Sequence, residues 1–151
     1  MGYLDRGGEV PVVVEVGDWL RIDAVMDNEI QDLREKCWES ETPDQLNPFW
    51  VELTELAESI RQAGWDQLPD WPKTSAGFRS WPTPGQTQEM RLGARQWGLV
   101  VSALERWATV DDSLGEDADR ESAAFLRRVA AVVRTRFEQI AGPLPAVRSD
   151  S

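Results

Sequence analysis

The chain contains no histidine and a single cysteine, Cys37. Without imidazole there is no Ser-His or Cys-His nucleophile pair, no HExxH zinc site, and no general base with an unperturbed pKa near neutrality. One thiol cannot close an intramolecular disulfide, and a structural zinc site is excluded with it. Cys37 stands beside Trp38 on the apolar side of a helical pattern and reads as a buried core thiol. Long apolar runs are also missing. None approaches the ~18 to 20 residues of a membrane span. Met1 to Glu9 lacks the basic-then-apolar order of a secretion signal. The expectation is a cytoplasmic protein that neither crosses nor binds a membrane. No phosphate-cradling GxxxxGK[ST], dinucleotide GxGxxG or nucleophile-elbow GxSxG occurs, so no cofactor is expected.

What is present argues for a folded chain. Eight tryptophans and a hydrophobic fraction of 41% would have no use in a solvated polymer. A length of 151 residues is in the usual range of one domain. Residues 10–16, VPVVVEV, are β-branched at alternate positions and predict a short strand, with Pro11 at an edge or at its beginning. Gly17-Asp18 breaks it, with Asp18 as the cap of a long helix. Trp19, Ile22, Met26, Ile30, Leu33 and Cys37 form the core-facing stripe of that helix. Of two cap-plus-proline signals, Thr42-Pro43 and Asn47-Pro48, the second is preferred as the start of the next helix. That helix buries Phe49, Leu53, Leu56, Ile60 and Ala63 and ends at Gly64.

The same order recurs. A weaker strand over Gln88 to Leu92 precedes a helix from Ala94 to about Ala108, with Trp97, Val100, Val101, Leu104 and Trp107 inward. A long acidic loop follows, resembling a calcium loop only in composition. The last helix, near Asp119 to Ala141, buries Leu126, Val129, Val133, Phe137 and Ile140, and a frayed tail begins at Pro143. Trp19, Ile22, Met26 and Gly64 match Trp97, Val100, Leu104 and Gly142 at a constant offset of 78 residues. The expected fold is therefore α+β and predominantly helical. Two related strand-helix-helix modules, 10–64 and 88–142, build one pseudo-symmetric domain spanning 1–151. Between them, residues 65–87 carry four prolines among Trp65, Trp71, Phe78 and Trp81. Leaving such rings in water forfeits roughly 1.5 to 3 kcal/mol each, so the segment is expected to strap across the helices. The alternative is that Trp71 and Trp81 present an open recognition surface.

Charge layout is the functional clue. Residues 1–75 hold 17 acidic and 6 basic side chains, a balance of −11, whereas residues 76–151 hold 10 of each. In the first helix Asp23, Asp27, Asp32, Glu35 and Glu39 are placed away from the apolar stripe. They serve either solubility alone or the capture of a basic partner. A helix-borne row of carboxylates approximates a phosphate backbone, which suits a basic, nucleic-acid-binding protein as target and excludes nucleic acid as a direct ligand. In the last helix Arg120, Arg127, Arg128, Arg134 and Arg136 either pair with the first module, join two chains as a homodimer, or cover apolar surface.

Enzyme chemistry would have to rest on carboxylates or arginines. Glu52, Glu55 and Glu58 recur every three residues but interleave with apolar positions, as a solvent face does. Arg91 and Arg95 flank a lone Gly93 at a helix start, a weak anion-site signal. The reading is a non-catalytic acidic module that binds or inhibits a basic protein through the first-helix carboxylates. The runner-up is a structural or regulatory assembly protein using Trp71, Trp81, Arg127, Arg128 and Arg134, and the third is a small enzyme.

Overall fold

The computed structural model describes residues 8–38 and 47–147. The element order is β1 (Glu9–Glu15), α1 (Val16–Trp38), α2 (Pro48–Gln67), β2 (Thr87–Gly93), α3 (Ala94–Leu114) and α4 (Asp117–Ala141). The protein is thus mostly helical, with four helices and one small antiparallel sheet among the described residues. Glu39 and Thr42 lie outside those residues.

Alternation builds the sheet. Val10, Val12 and Val14 of β1 and Met90 and Leu92 of β2 point inward and are buried, while Glu9, Val13, Glu15, Thr87, Glu89 and Arg91 face out. The register runs from Glu9 opposite Gly93 to Glu15 opposite Thr87. The Val16 amide continues the ladder by donating to Gln86 O at 2.8 Å. Because antiparallel hydrogen-bonded pairs alternate by two residues, positions 14, 12 and 10 bond across the ladder and 15, 13 and 11 turn their amides outward. Pro11, which has no amide hydrogen, occupies one of those outward positions. Each outer edge is closed by one side chain. Gln67 bonds both the amide and the carbonyl of Arg91, at 2.6 and 2.8 Å, and Arg136 Nη1 donates to Val13 O at 2.5 Å. Such caps deny the edge to another strand.

Above the sheet lies the core. Trp19 of α1 and Trp97 of α3 meet edge to face, 6.2 Å between centroids, surrounded by Ile22, Met26, Leu53, Ile60, Leu104 and Phe137. Helices α1 and α2 form one antiparallel hairpin and α3 and α4 another, with the two sharing the α1–α3 contact. Asn47 caps α2, its side chain accepting from the Phe49 amide at 2.9 Å, with Pro48 in the first turn.

Several boundaries differ from the sequence reading. Helix α1 opens at Val16, which places Asp18 in its first turn rather than at its cap. Helix α2 passes Gly64 and continues to Gln67. Gly64 is there for close approach, since a Cβ on it would lie 2.5 Å from Trp19 Nε1. Helix α3 extends to Leu114, and the connection to α4 shrinks to Gly115 and Glu116, with Gly115 left-handed at φ 82°. Apart from Glu116, the acidic residues of the expected loop belong to helices, where Arg127 pairs with Asp112 and Arg120 with Asp117. Phe49 and Ile140 are exposed rather than buried, and Cys37 is half-buried rather than a core thiol. The tail does not fray directly after α4. Leu144 and Val147 pack against the core, and Pro145 O lies where a Cβ on Gly98 would stand, 2.4 Å away.

Gly64→Ala should lower stability by about 1 to 3 kcal/mol, because the added methyl overpacks the Trp19 indole. Urea unfolding followed by circular dichroism measures this, and a variant as stable as the parent would show that the indole yields freely.

Candidate functional site

Helix α1 carries the candidate surface, and its carboxylates divide by helical phase. Asp23 stands one turn from both Trp19 and Met26, so it faces α2 instead of solvent. There it is nearly buried and takes two bonds from Arg61, to Nε at 3.0 Å and to Nη2 at 3.1 Å. The expectation that Asp23 is displayed for a partner is corrected accordingly. Its bond to Asp23 pushes the Arg61 guanidinium above its usual range, so the cation is permanent. Asp27 accepts from Arg61 Nη1 at 3.1 Å and from Gln31 at 3.3 Å, and its side chain remains 47% exposed. Asp32 lies 3.5 Å from Arg106 of α3, and Glu35 is exposed.

Glu29 was not singled out by the sequence reading. It is fully buried, accepting from Arg106 Nη2 and, at 2.9 Å, from Trp107 Nε1. The signal was legible, because Glu29 falls three residues after Met26 and four before Leu33, in phase with the apolar stripe. At the other end of α1, Asp18 is buried beside Arg128 of α4 at 3.7 Å. Burial raises the Asp18 carboxyl above the ordinary aspartate range. Arg128 opposes that shift, Glu15 reinforces it, and Arg136 opposes it more weakly.

Between α1 and α2 lies a cleft of about 340 Å³, lined by Asp27, Ile30, Arg34, Glu58, Arg61, Gln62 and Trp65. Arg34 and Glu58 bridge it at 2.9 Å. Trp65 forms part of its wall and is held from behind by Trp71, 5.0 Å between centroids.

The residues of the alternative interface are engaged within the chain. Trp71 packs on Trp65 under the Lys73 ammonium, and Trp81 packs on Phe78, both half-buried against the core. Arg127 pairs with Asp112, Arg128 with Asp18, and Arg134 with Glu105 at 3.5 Å. Of the carboxylates considered for acid-base work, Glu52 pairs with Arg95 and Glu58 with Arg34, and Glu55 is exposed. At the start of α3 the Gly93 amide is taken by Gln96 at 2.7 Å, and Arg91 pairs with Glu89. Among the described residues no group of three His, Cys, Asp or Glu is placed to hold a metal ion, and no helix is long and apolar enough to cross a membrane. In comparison with known proteins, no family model, curated protein or solved structure matches the chain.

Two stability effects follow from these contacts. Arg106→Met should cost on the order of 3 kcal/mol in urea unfolding, because it takes the cation from a buried carboxylate. Adding Glu29→Gln should restore part of that loss; no recovery would place the effect in packing rather than charge. Asp18 binds its proton more tightly folded than unfolded. It therefore favours the fold below the ordinary aspartate range, and that contribution is lost as pH rises through the folded pKa. Asp18→Asn should accordingly gain stability relative to the parent at pH 7, with the advantage shrinking towards pH 3 in thermal melts. An advantage independent of pH would contradict the assignment.

Proposed function

We propose that the protein is a non-catalytic, acidic protein-binding module. It engages a basic protein of the nucleic-acid-binding kind and holds it inactive or masked. The observation that carries this reading is that internal pairing leaves the amino-terminal charge uncancelled. Arg61 serves both Asp23 and Asp27, so that cluster keeps a net negative charge. Glu35, Glu55 and Asp66 add exposed carboxylates on the same α1–α2 hairpin. Pairing moves charge without removing it. The excess of −11 still sets the long-range field, which raises encounter rates with a cationic partner and falls with salt.

The carboxylates offered to the partner are then Asp27, Asp32 and Glu35, with Asp23 and Arg61 bracing Asp27 on the α2 side and Arg106 beside Asp32 on the α3 side. The assembly reading is the weaker one, because Trp71 and Trp81, its aromatic anchors, are half-buried and packed on Trp65 and Phe78.

We also infer that the two strand-helix-helix modules are related. Three contacts join positions 78 residues apart: Val12 opposite Met90, Trp19 against Trp97, and Glu29 bonded to Trp107. Residues on a two-fold axis meet their own counterparts, as in an isologous dimer. The ladder obeys the same offset, which carries the pair Val10 and Leu92 onto Gln88 and Val14.

Asp27→Lys with Glu35→Lys should abolish capture of the partner from the source cell extract while circular dichroism stays unchanged. Raising ionic strength should weaken the wild-type complex. Capture indifferent to both changes would remove this reading.

A further inference from the structure

The structure assigns the α1–α2 cleft the role of an anchor pocket for a single guanidinium side chain, an arginine of the basic partner. This rests on the proposed function and adds where recognition is centred and by what chemistry. A volume of about 340 Å³ is at the small end of ligand sites and suits one long side chain rather than a cofactor. Its lining is graded in polarity. Ile30, nearly buried, and the half-buried Trp65 offer apolar surface to a methylene stem, and Asp27 from α1 and Glu58 from α2 bring carboxylates to the mouth.

These two carboxylates are available in a way that Asp23 is not. Arg61 commits its Nε and Nη2 to Asp23 and spends one further contact on Asp27, which stays 47% exposed. Glu58 is held by Arg34 in a pair whose side chains are 46% and 56% exposed. Such solvent-exposed pairs contribute little, so an incoming guanidinium can displace Arg34 at small cost. It would then fork onto Glu58 and the exposed Oδ2 of Asp27, held only by the long 3.3 Å bond from Gln31, as arginine does with carboxylates. Trp65 contributes a ring already fixed by Trp71, and a cation over such a ring gains without ordering it anew. An anionic occupant is disfavoured, because both arginines of the lining are spent on carboxylates and the chain's net charge of −11 repels it.

Agmatine, decarboxylated arginine with its guanidinium, methylene stem and a terminal ammonium, is the probe, titrated into the ¹⁵N-labelled full chain. The Trp65 indole N–H and the amides around Asp27 and Glu58 should shift saturably, with a dissociation constant in the millimolar range. In Asp27→Asn with Glu58→Gln the affinity should fall at least tenfold, and in Glu55→Gln, outside the cleft on the same helix, by less than twofold. Equal losses in both variants, or no loss in the double variant, would overturn the assignment. So would shifts that never saturate. The double variant should also weaken capture of the partner recovered with the wild-type protein, and undiminished capture would show that the cleft is not the anchor even though the wider reading survives. Agmatine bound in the cleft by a wild-type chain that recovers no basic protein would leave the pocket standing and sink the wider reading.

Discussion

Carboxylates of α1 meet arginines from each of the other three helices, and that convergence organises both the packing and the surface. Arg61 of α2 takes Asp23, Arg106 of α3 takes Glu29, and Arg128 of α4 lies against Asp18. A buried carboxylate without a cation would cost several kcal/mol, so each of these contacts constrains where its helix can sit along α1. Burial also concentrates the pairs at the helix interfaces, where screening by salt is weak. The remaining carboxylates of the hairpin lie outside and give the amino-terminal half its field. Structural and proposed functional electrostatics are therefore drawn from the same helix, separated by a rotation of about 100° per residue.

Positions 78 residues apart serve different ends in the two strand-helix-helix halves of the chain. Trp97 donates its indole N–H to Val10 O at 2.9 Å, whereas Trp19 Nε1 is buried against Gly64 without a hydrogen-bond partner among the described residues. Leaving such a donor unpaired costs about 1 to 3 kcal/mol, offset here by the close packing that Gly64 permits. Where the second module carries Trp107, the first carries Glu29, and the two bond to each other. Charge follows the same division, because the first module keeps the acidic excess while its arginine partners come partly from the second.

Much of the candidate site was hidden for one reason. Local periodicity tells which way a residue points from its own helix and says nothing about what stands opposite. Asp23 reads as one of the carboxylates away from the apolar stripe, yet its spacing to Trp19 and Met26 places it on the packed side. Glu29 was missed although its phase gave it away. Arg61 and Arg106 carried no signal at all, since an arginine on the edge of a stripe looks the same whether it covers apolar surface or reaches a carboxylate. The cleft depends on the α1–α2 crossing and on Trp71 folding back to hold Trp65, neither of which has a local mark.

By itself the sequence determined the strand-helix-helix order, the alternating Val face of the first strand, the Trp19 and Trp97 anchors, the Asn47 cap and the lopsided charge. These are consequences of side-chain period, cap chemistry and composition, which act over a few residues or over none. Only the tertiary structure decided which carboxylates are spent on arginines, that Gly64 accommodates an indole, that the acidic stretch after Ala108 is helical, and that the tail packs on Gly98. Those outcomes belong to groups distant in the chain that meet only when the hairpins dock, and the free energy that selects them does not exist until they do.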